Sequence, residues 1–142
     1  MTSRDAAALL RGANLRVTGP RVAVLELLER RPHVQADTIL RELRARSAAV
    51  SHQAVYDVLS ALTTAGLVRR IEPAGQAALY ERRTGDNHHH VVCRRCGRVE
   101  DVDCVIGHAP CLEASDDLGF VLDEAEVTWW GVCPTCALPA TV

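Results

Sequence analysis

No apolar run in this chain is long enough to cross a bilayer, which takes about 20 mostly apolar residues in a helix. That excludes a helical membrane protein. Residues 1–11 lack a continuous apolar stretch and read as an amphipathic helix, not a secretory signal. Lysine is absent, and all 16 basic residues are arginine. The bias is compositional and is no sign of selected phosphate contacts. Aromatics are scarce: Tyr56, Tyr80, Phe120, Trp129 and Trp130 are all of them. No internal repeat is present, and the only low-complexity tract is a run of three histidines. A chain with neither leader nor span is expected in the cytoplasm. Thiols stay reduced there, and paired cysteines more often bind metal than form disulfides.

What is present suggests two jobs. The 142 residues suit one ordinary domain or two small ones, and 48% of them are hydrophobic, enough to bury a core. The net charge of -2 hides an asymmetry. Residues 1–85 carry 13 arginines and 8 acids, whereas residues 86–142 carry 3 and 10. The basic half is a candidate for a polyanionic partner.

In that half, helices alternate with short breaks. Residues 5–13 have apolar side chains at helical spacing. Thr18, Gly19 and Pro20 form a start signal for a helix that ends near Arg31 and Pro32, with Val22, Leu25, Leu27 and Leu28 on its apolar face. Ala36 and Asp37 open another, with Ile39, Leu40 and Leu43 inward. Ser51 is a good N-cap for a fourth, running through Val55, Leu59 and Leu62 to Gly66. The period then changes. Residues 67–71 and 77–81 read as strands joined by a turn at Pro73, Ala74 and Gly75. Helices followed by a hairpin outline a winged helix-turn-helix, with the helix after Ser51 as the recognition helix. A polar stretch at 83–87 falls where the charge changes sign and reads as a hinge. Beyond it, residues 89–93 and 99–102 are expected as strands, 111–118 as a short helix and 121–132 as a longer strand. The expected fold is α+β: a winged-helix DNA-binding domain over 1–82, and a small metal-binding α/β dimerisation domain over 88–142.

Four cysteines form two Cys-x-x-Cys pairs, Cys93 with Cys96 and Cys133 with Cys136. Each such turn offers two thiolates, and two turns close a tetrahedral zinc site. A redox dithiol is the competing reading. A zinc deaminase is excluded: the proline falls inside the second pair, and no His-x-Glu supplies the acid/base. Cys104 and Cys111 are either buried small hydrophobes or a reversible redox pair.

The three histidines precede Cys93. On a strand, His88 and His90 share one face and His89 takes the other. Glu81, Asp86 and Asp101 are the nearby acids. Mixed nitrogen and oxygen donors suit Fe(II), Mn(II) or Zn(II). His33 stands alone near a helix start and by itself reads as a surface residue.

Taken together these motifs resemble the ferric uptake regulator superfamily of bacterial metal-dependent repressors, over essentially the whole chain. Leu15-Arg16-Val17-Thr18-x-x-Arg21 and Pro32-His33-x-x-Ala36-Asp37 match the winged-helix segments. Ser51-x-x-Ala54-Val55-Tyr56 matches the recognition helix, and Ala65-Gly66-Leu67-Val68 the entry to the wing. His88-His89-His90-Val91-Val92-Cys93-x-x-Cys96-Gly97 matches the metal core. The run 53–57 and the Asp103-Cys104 segment look most like an actinobacterial branch associated with catalase-peroxidase control and oxidative stress.

The resemblance implies structural zinc on Cys93, Cys96, Cys133 and Cys136. It implies a regulatory Fe(II) or Mn(II) on His33, Glu81, His88 and His90, with Asp101 as a further ligand in peroxide-sensing members. It implies DNA contacts from Arg16, Arg21, Ser51, His52, Gln53 and Tyr56, with Tyr56 at a base-contacting position and Arg16 at the minor groove. Asp57 departs from the arginine or asparagine of many members. Asn87, His89, His108 and Ala125 fall at an additional metal site, and their mixture argues against a full third site. The implied protein is no enzyme. It is a homodimeric repressor on a palindromic double-stranded operator, controlling oxidative-stress or iron-homeostasis genes. The rivals are a zinc or nickel uptake regulator of the same superfamily, a thiol redox enzyme and a zinc-ribbon interaction module.

Overall fold

A computed structural model describes residues 1–46, 49–82, 88–103, 114–122 and 125–139. The chain forms two compact units, Met1–Thr84 and Gly85–Val142. The hinge expected at 83–87 lies outside the described residues, as do Cys104, His108 and Cys111.

The first unit begins with α1 (Ser3–Gly12), whose capping box pairs the Thr2 hydroxyl with the Asp5 N–H and the Asp5 carboxylate with the Thr2 N–H. Those bonds hold Asp5 below its ordinary pKa. Helix α2 (Gly19–Arg30) starts at Thr18, whose hydroxyl accepts from the Arg21 N–H at 3.4 Å. Strand β1 (Val34–Gln35) leads into α3 (Ala36–Arg46). Helix α4 (His52–Thr64) is capped by the Ser51 hydroxyl, which accepts from Ala54 N–H at 3.1 Å. It ends where Gly66 takes φ +72°, and the Leu67 N–H closes onto the Leu62 carbonyl at 3.0 Å. A left-handed residue there favours glycine.

Strands β2 (Arg69–Ile71) and β3 (Leu79–Glu81) follow, in an antiparallel sheet of order β1-β3-β2. The hairpin strands are shorter than expected. The two-residue β1 has no sequence signal, because so short a segment shows no alternation. The core gathers Leu10, Val24, Leu25, Leu28, Ile39, Leu59 and Leu62. Each such side chain contributes about 1.5–3 kcal/mol when fully buried. On α2 the buried face includes Val24, while Val22 is only half-buried. Val24, Leu25 and Leu28 fall one and four residues apart, on one helical stripe.

The second unit is a sheet of order β5-β4-β6. Strand β4 (His88–Cys93) pairs antiparallel with β5 (Val99–Asp103) and parallel with β6 (Thr128–Gly131). A single turn, α5 (Pro134–Ala137), follows.

Two expectations fail here. Among the described residues, the strand expected over 121–132 is confined to β6. The helix expected over 111–118 is absent from its described part, 114–118. The cause is local: the Asp116 carboxylate accepts from the Leu118 N–H at 2.9 Å, and Asp117 from the Gly119 N–H at 2.8 Å. Side-chain bonds of this kind compete with helix and ladder for backbone donors. No helix among the described residues is long and apolar enough to cross a membrane.

Candidate metal centres and nucleic-acid interface

The four paired cysteines converge within the second unit. The hairpin turn after β4 brings Cys96 back under Cys93, through a Gly97 N–H to Cys93 carbonyl bond at 3.0 Å and a left-handed Gly97 at φ +77°. Parallel pairing of Cys93 with Gly131 delivers Cys133 to the same place, and α5 turns Cys136 inward. All four sulfurs lie within 4.8 Å of one another, with Cys96 Sγ 3.7 Å from Cys133 Sγ. Zinc–sulfur bonds of about 2.3 Å in a tetrahedron place the sulfurs about 3.8 Å apart. The donor set therefore fits zinc.

The electrostatics suit thiolates. Backbone N–H groups of Cys96, Cys133 and Arg95 hold Cys93 down at about 6, and the Cys133 N–H donates to Cys93 Sγ at 3.3 Å. Bonds from the Cys133 and Cys96 sulfurs push Cys136 up to about 12. Without metal, the cluster thus keeps some of its protons.

The five predicted regulatory ligands fall into a cross-strand pair in the first unit and a group of three in the second. In the first unit β1 pairs with β3 so that Val34 faces Tyr80. One residue further along the same register, His33 faces Glu81. Their side chains meet at 3.1 Å between Nε2 and Oε2, with 8% and 0% exposure. The reading of His33 as a surface residue therefore fails. His33 takes φ +60°, a left-handed conformation uncommon outside glycine, and such strain clusters at functional sites.

In the second unit His90 faces Asp101 directly across the β4–β5 ladder. Asp101 Oδ1 is 3.3 Å from His90 Nε2 and 3.7 Å from His88 Nε2. The His88 and His90 rings lie 4.9 Å apart on one face. Glu126 Oε1 stands 3.9 Å from His90 Nδ1, an acid the sequence did not single out. Its position beside β6, which pairs parallel with β4, is the reason it was missed. His89 takes the opposite face, against Trp129, and its Nδ1 accepts from the Val127 N–H at 3.2 Å. Ala125 offers no side-chain donor, and Asn87 and His108 lie outside the described residues.

The exposed side of α4 carries His52, Gln53, Tyr56 and Asp57. His52 and Tyr56 stack at 6.4 Å, and Gln53 Nε2 donates to Asp57 Oδ1 at 2.8 Å. A groove of about 490 Å³ runs beside this face, lined by Gln53, Tyr56, Asp57, Ser60, Arg70 and Tyr80 among others. Arg70 pairs with Glu72 and bonds Tyr80, which raises its already high pKa. Sequence reasoning gave Arg70 no role, although its position between the buried Val68 and Ile71 marks it as outward. Arg16 is exposed, and Arg21 Nη1 donates to the Arg16 carbonyl at 2.8 Å. Arg21 thus braces the Arg16 backbone. Ser51 is the cap described above, so its hydroxyl already serves the helix.

Comparison with known proteins gives one consistent answer. Residues 12–129 match the model of the ferric uptake regulator family. The transcriptional regulator FurA of Mycobacterium tuberculosis is 60% identical, over 96% of this chain and 93% of the relative. Ferric uptake regulation protein 2 of Mycolicibacterium fortuitum is 56% identical, over 96% of each. Among solved structures, the Campylobacter jejuni peroxide stress regulator superposes with a TM-score of 0.69 at 25% identity, covering 96% of this chain and 99% of that one.

Proposed function

This chain belongs to the ferric uptake regulator family, and we propose that it is a repressor in which Fe(II) or Mn(II) gates binding to a palindromic operator. It is a transcriptional regulator, not an enzyme. The thiol redox rival therefore falls, as does a zinc-ribbon module, which would leave the arginine-rich unit without a purpose. We place its action in the cytoplasm and its targets among oxidative-stress or iron-homeostasis genes. Similarity to FurA and to a peroxide stress regulator supports that assignment.

One observation carries the regulatory reading: each unit sets histidine beside carboxylate, His33 with Glu81 in the first and His88 and His90 with Asp101 in the second. His33 and Glu81 supply two donors, and His88, His90 and Asp101 supply three. We propose that these five ligands serve one regulatory ion. Nitrogen and oxygen donors suit Fe(II) and Mn(II), whereas the four thiolates suit structural zinc. When bound, the ion supplies charge to hold these donors in one shell. Glu81 ends β3, beside the wing, so ordering Glu81 and His33 orders the frame that carries α4. A coupling of about 1–3 kcal/mol changes operator affinity roughly 5–150-fold.

The exposed face of α4 is proposed to enter the major groove, with Tyr56 and Gln53 at base edges and Arg16 on the backbone or minor groove. The arginines of the first unit provide the salt-dependent phosphate attraction. The second unit, acidic and carrying an exposed apolar segment at Leu118, Phe120, Val121 and Leu122, is proposed to form the dimer.

The test is operator binding by footprinting on the DNA upstream of the chain's own coding region. Titrations with Mn(II), Fe(II), Zn(II) and Ni(II) at matched free-metal levels are compared for the unsubstituted protein and for His33→Ala with His90→Ala. Mn(II)- or Fe(II)-dependent protection that vanishes in the double variant, with zinc content retained, is the expected result. Unchanged metal dependence in the double variant would falsify the assignment. Protection driven by Zn(II) or Ni(II) alone would turn it to an uptake regulator for those metals.

A further inference from the structure

We propose that Asp57 positions Gln53 to read an adenine in the major groove. The inference rests on α4 being the DNA-recognition helix, as above. Gln53 and Asp57 lie one turn apart on the exposed side of α4, and Gln53 Nε2 donates to Asp57 Oδ1 at 2.8 Å. A glutamine amide carries two N–H donors on one end and an acceptor oxygen on the other. An ionised carboxylate only accepts. Asp57 therefore faces the amino end of the amide and decides which way the group is turned. One N–H and Oε1 remain free side by side.

That remaining pair matches one base. Adenine presents N7 as acceptor and the N6 amino group as donor, the complement of an N–H beside a carbonyl. Guanine presents two acceptors, N7 and O6, so a fixed Oε1 would meet O6 lone pair to lone pair. An unrestrained glutamine turns its amide over and tolerates both. The restraint also removes side-chain freedom before binding, which lessens the ordering cost on DNA.

Asp57 also needs a reason to stand on a surface meant for a polyanion, where an acid opposes binding. Its bond to Gln53 gives that reason. A bare helix-stabilising pair at this spacing would have no effect on base choice. Direct reading of cytosine N4 by Asp57 is the other chemistry open to a carboxylate here. It predicts loss of a cytosine at a position that does not depend on Gln53.

The test is selection from a pool of randomised duplexes by the full-length protein with Mn(II). It compares the unsubstituted chain with Gln53→Ala, Asp57→Ala, Asp57→Asn and Asp57→Glu, all checked for unchanged helicity and zinc content. The unsubstituted protein is expected to enrich adenine at a symmetric pair of positions. Gln53→Ala and Asp57→Ala lose that preference at the same positions, by about tenfold relative to guanine. Asp57→Asn, whose amide can itself turn over, admits guanine. Asp57→Glu keeps an acceptor-only carboxylate and keeps adenine. If Asp57→Ala fails to fold, the contrast between Asp57→Asn and Asp57→Glu still decides.

Full adenine preference in Asp57→Ala or Asp57→Asn overturns the inference, as does loss of a cytosine at a position that Gln53→Ala leaves alone. An operator enriched with no Asp57 dependence removes this inference only. Failure of the unsubstituted protein to enrich any sequence with Mn(II) removes the regulatory reading, and this inference with it.

Discussion

Cys93 at about 6 and Cys136 at about 12 stand at opposite ends of the thiol range within one cluster. The split has a simple origin: Cys93 accepts from backbone N–H groups, while bonds to the Cys133 and Cys96 sulfurs, and then burial, raise Cys136. Zinc needs all four as thiolates, so binding must displace the proton that Cys136 retains. The sign follows. Protons compete with zinc, and the competition sharpens as pH falls through about 6, where Cys93 itself protonates. Zinc transfer to a chromogenic chelator is therefore expected to be slow and incomplete at neutral pH and to accelerate below about 6. Cys96→Ser should release zinc already at neutral pH and lower the thermal midpoint of the second unit. Zinc retained stoichiometrically in Cys96→Ser would show that the cluster is not the site. The cysteines announced this chemistry by spacing alone. His33 did not, because its partner Glu81 lies 48 positions on in the sequence and is reached only through the register of a two-residue strand. Without the family resemblance, no local pattern would have drawn the two together.

At the level of elements, the first unit's helices were legible, whereas the second unit's helices and later strand were not. Thr18, Ser51 and Gly66 mark ends by the chemistry of the side chain or by the backbone angle, and each stands where the motif predicts. Residues 121–132 alternate loosely and suggested one strand. The described segment that pairs is Thr128–Gly131, because a strand needs a partner as well as a pattern, and β4 pairs on that edge only from His90 to Cys93. The aspartates at 116 and 117 take the nearby backbone donors before any helix or ladder can. The Ser51 cap is a test of how firmly α4 is set. Ser51→Ala should cost about 1 kcal/mol, or a thermal midpoint lower by about 4–8 °C for a unit of this size. Operator affinity should fall with it. Ser51→Asp, which also caps, should restore the midpoint while adding a negative charge beside DNA. Calorimetry and DNA titration together then separate the cap from the contact. A midpoint that does not move in Ser51→Ala would mean that α4 is held by its buried face alone.

Over the whole molecule, charge and apolar exposure divide the labour. The first unit carries the excess of arginine and the second the excess of acid, so phosphate attraction must act through the first. The second unit leaves Leu118, Phe120 and Val121 at 77%, 69% and 99% exposure in a single chain. A contiguous apolar stretch of this kind marks an interaction surface. The palindromic operator proposed above asks for a two-fold partner, because each half-site takes one recognition helix. Both arguments converge on a second copy of the chain covering this segment. Phe120→Asp with Val121→Asp places two charges there, remote from the cysteine cluster and from the histidine pairs in the chain. The substituted protein is expected to elute as a monomer in size-exclusion chromatography with light scattering. Its zinc should remain stoichiometric, and its operator affinity should fall steeply, since one recognition helix alone forfeits the half-site contacts of the other. A dimer that survives both substitutions would shift the interface to another surface of the second unit. A monomer that still binds the full operator with undiminished affinity would refute the coupling between dimer and palindrome.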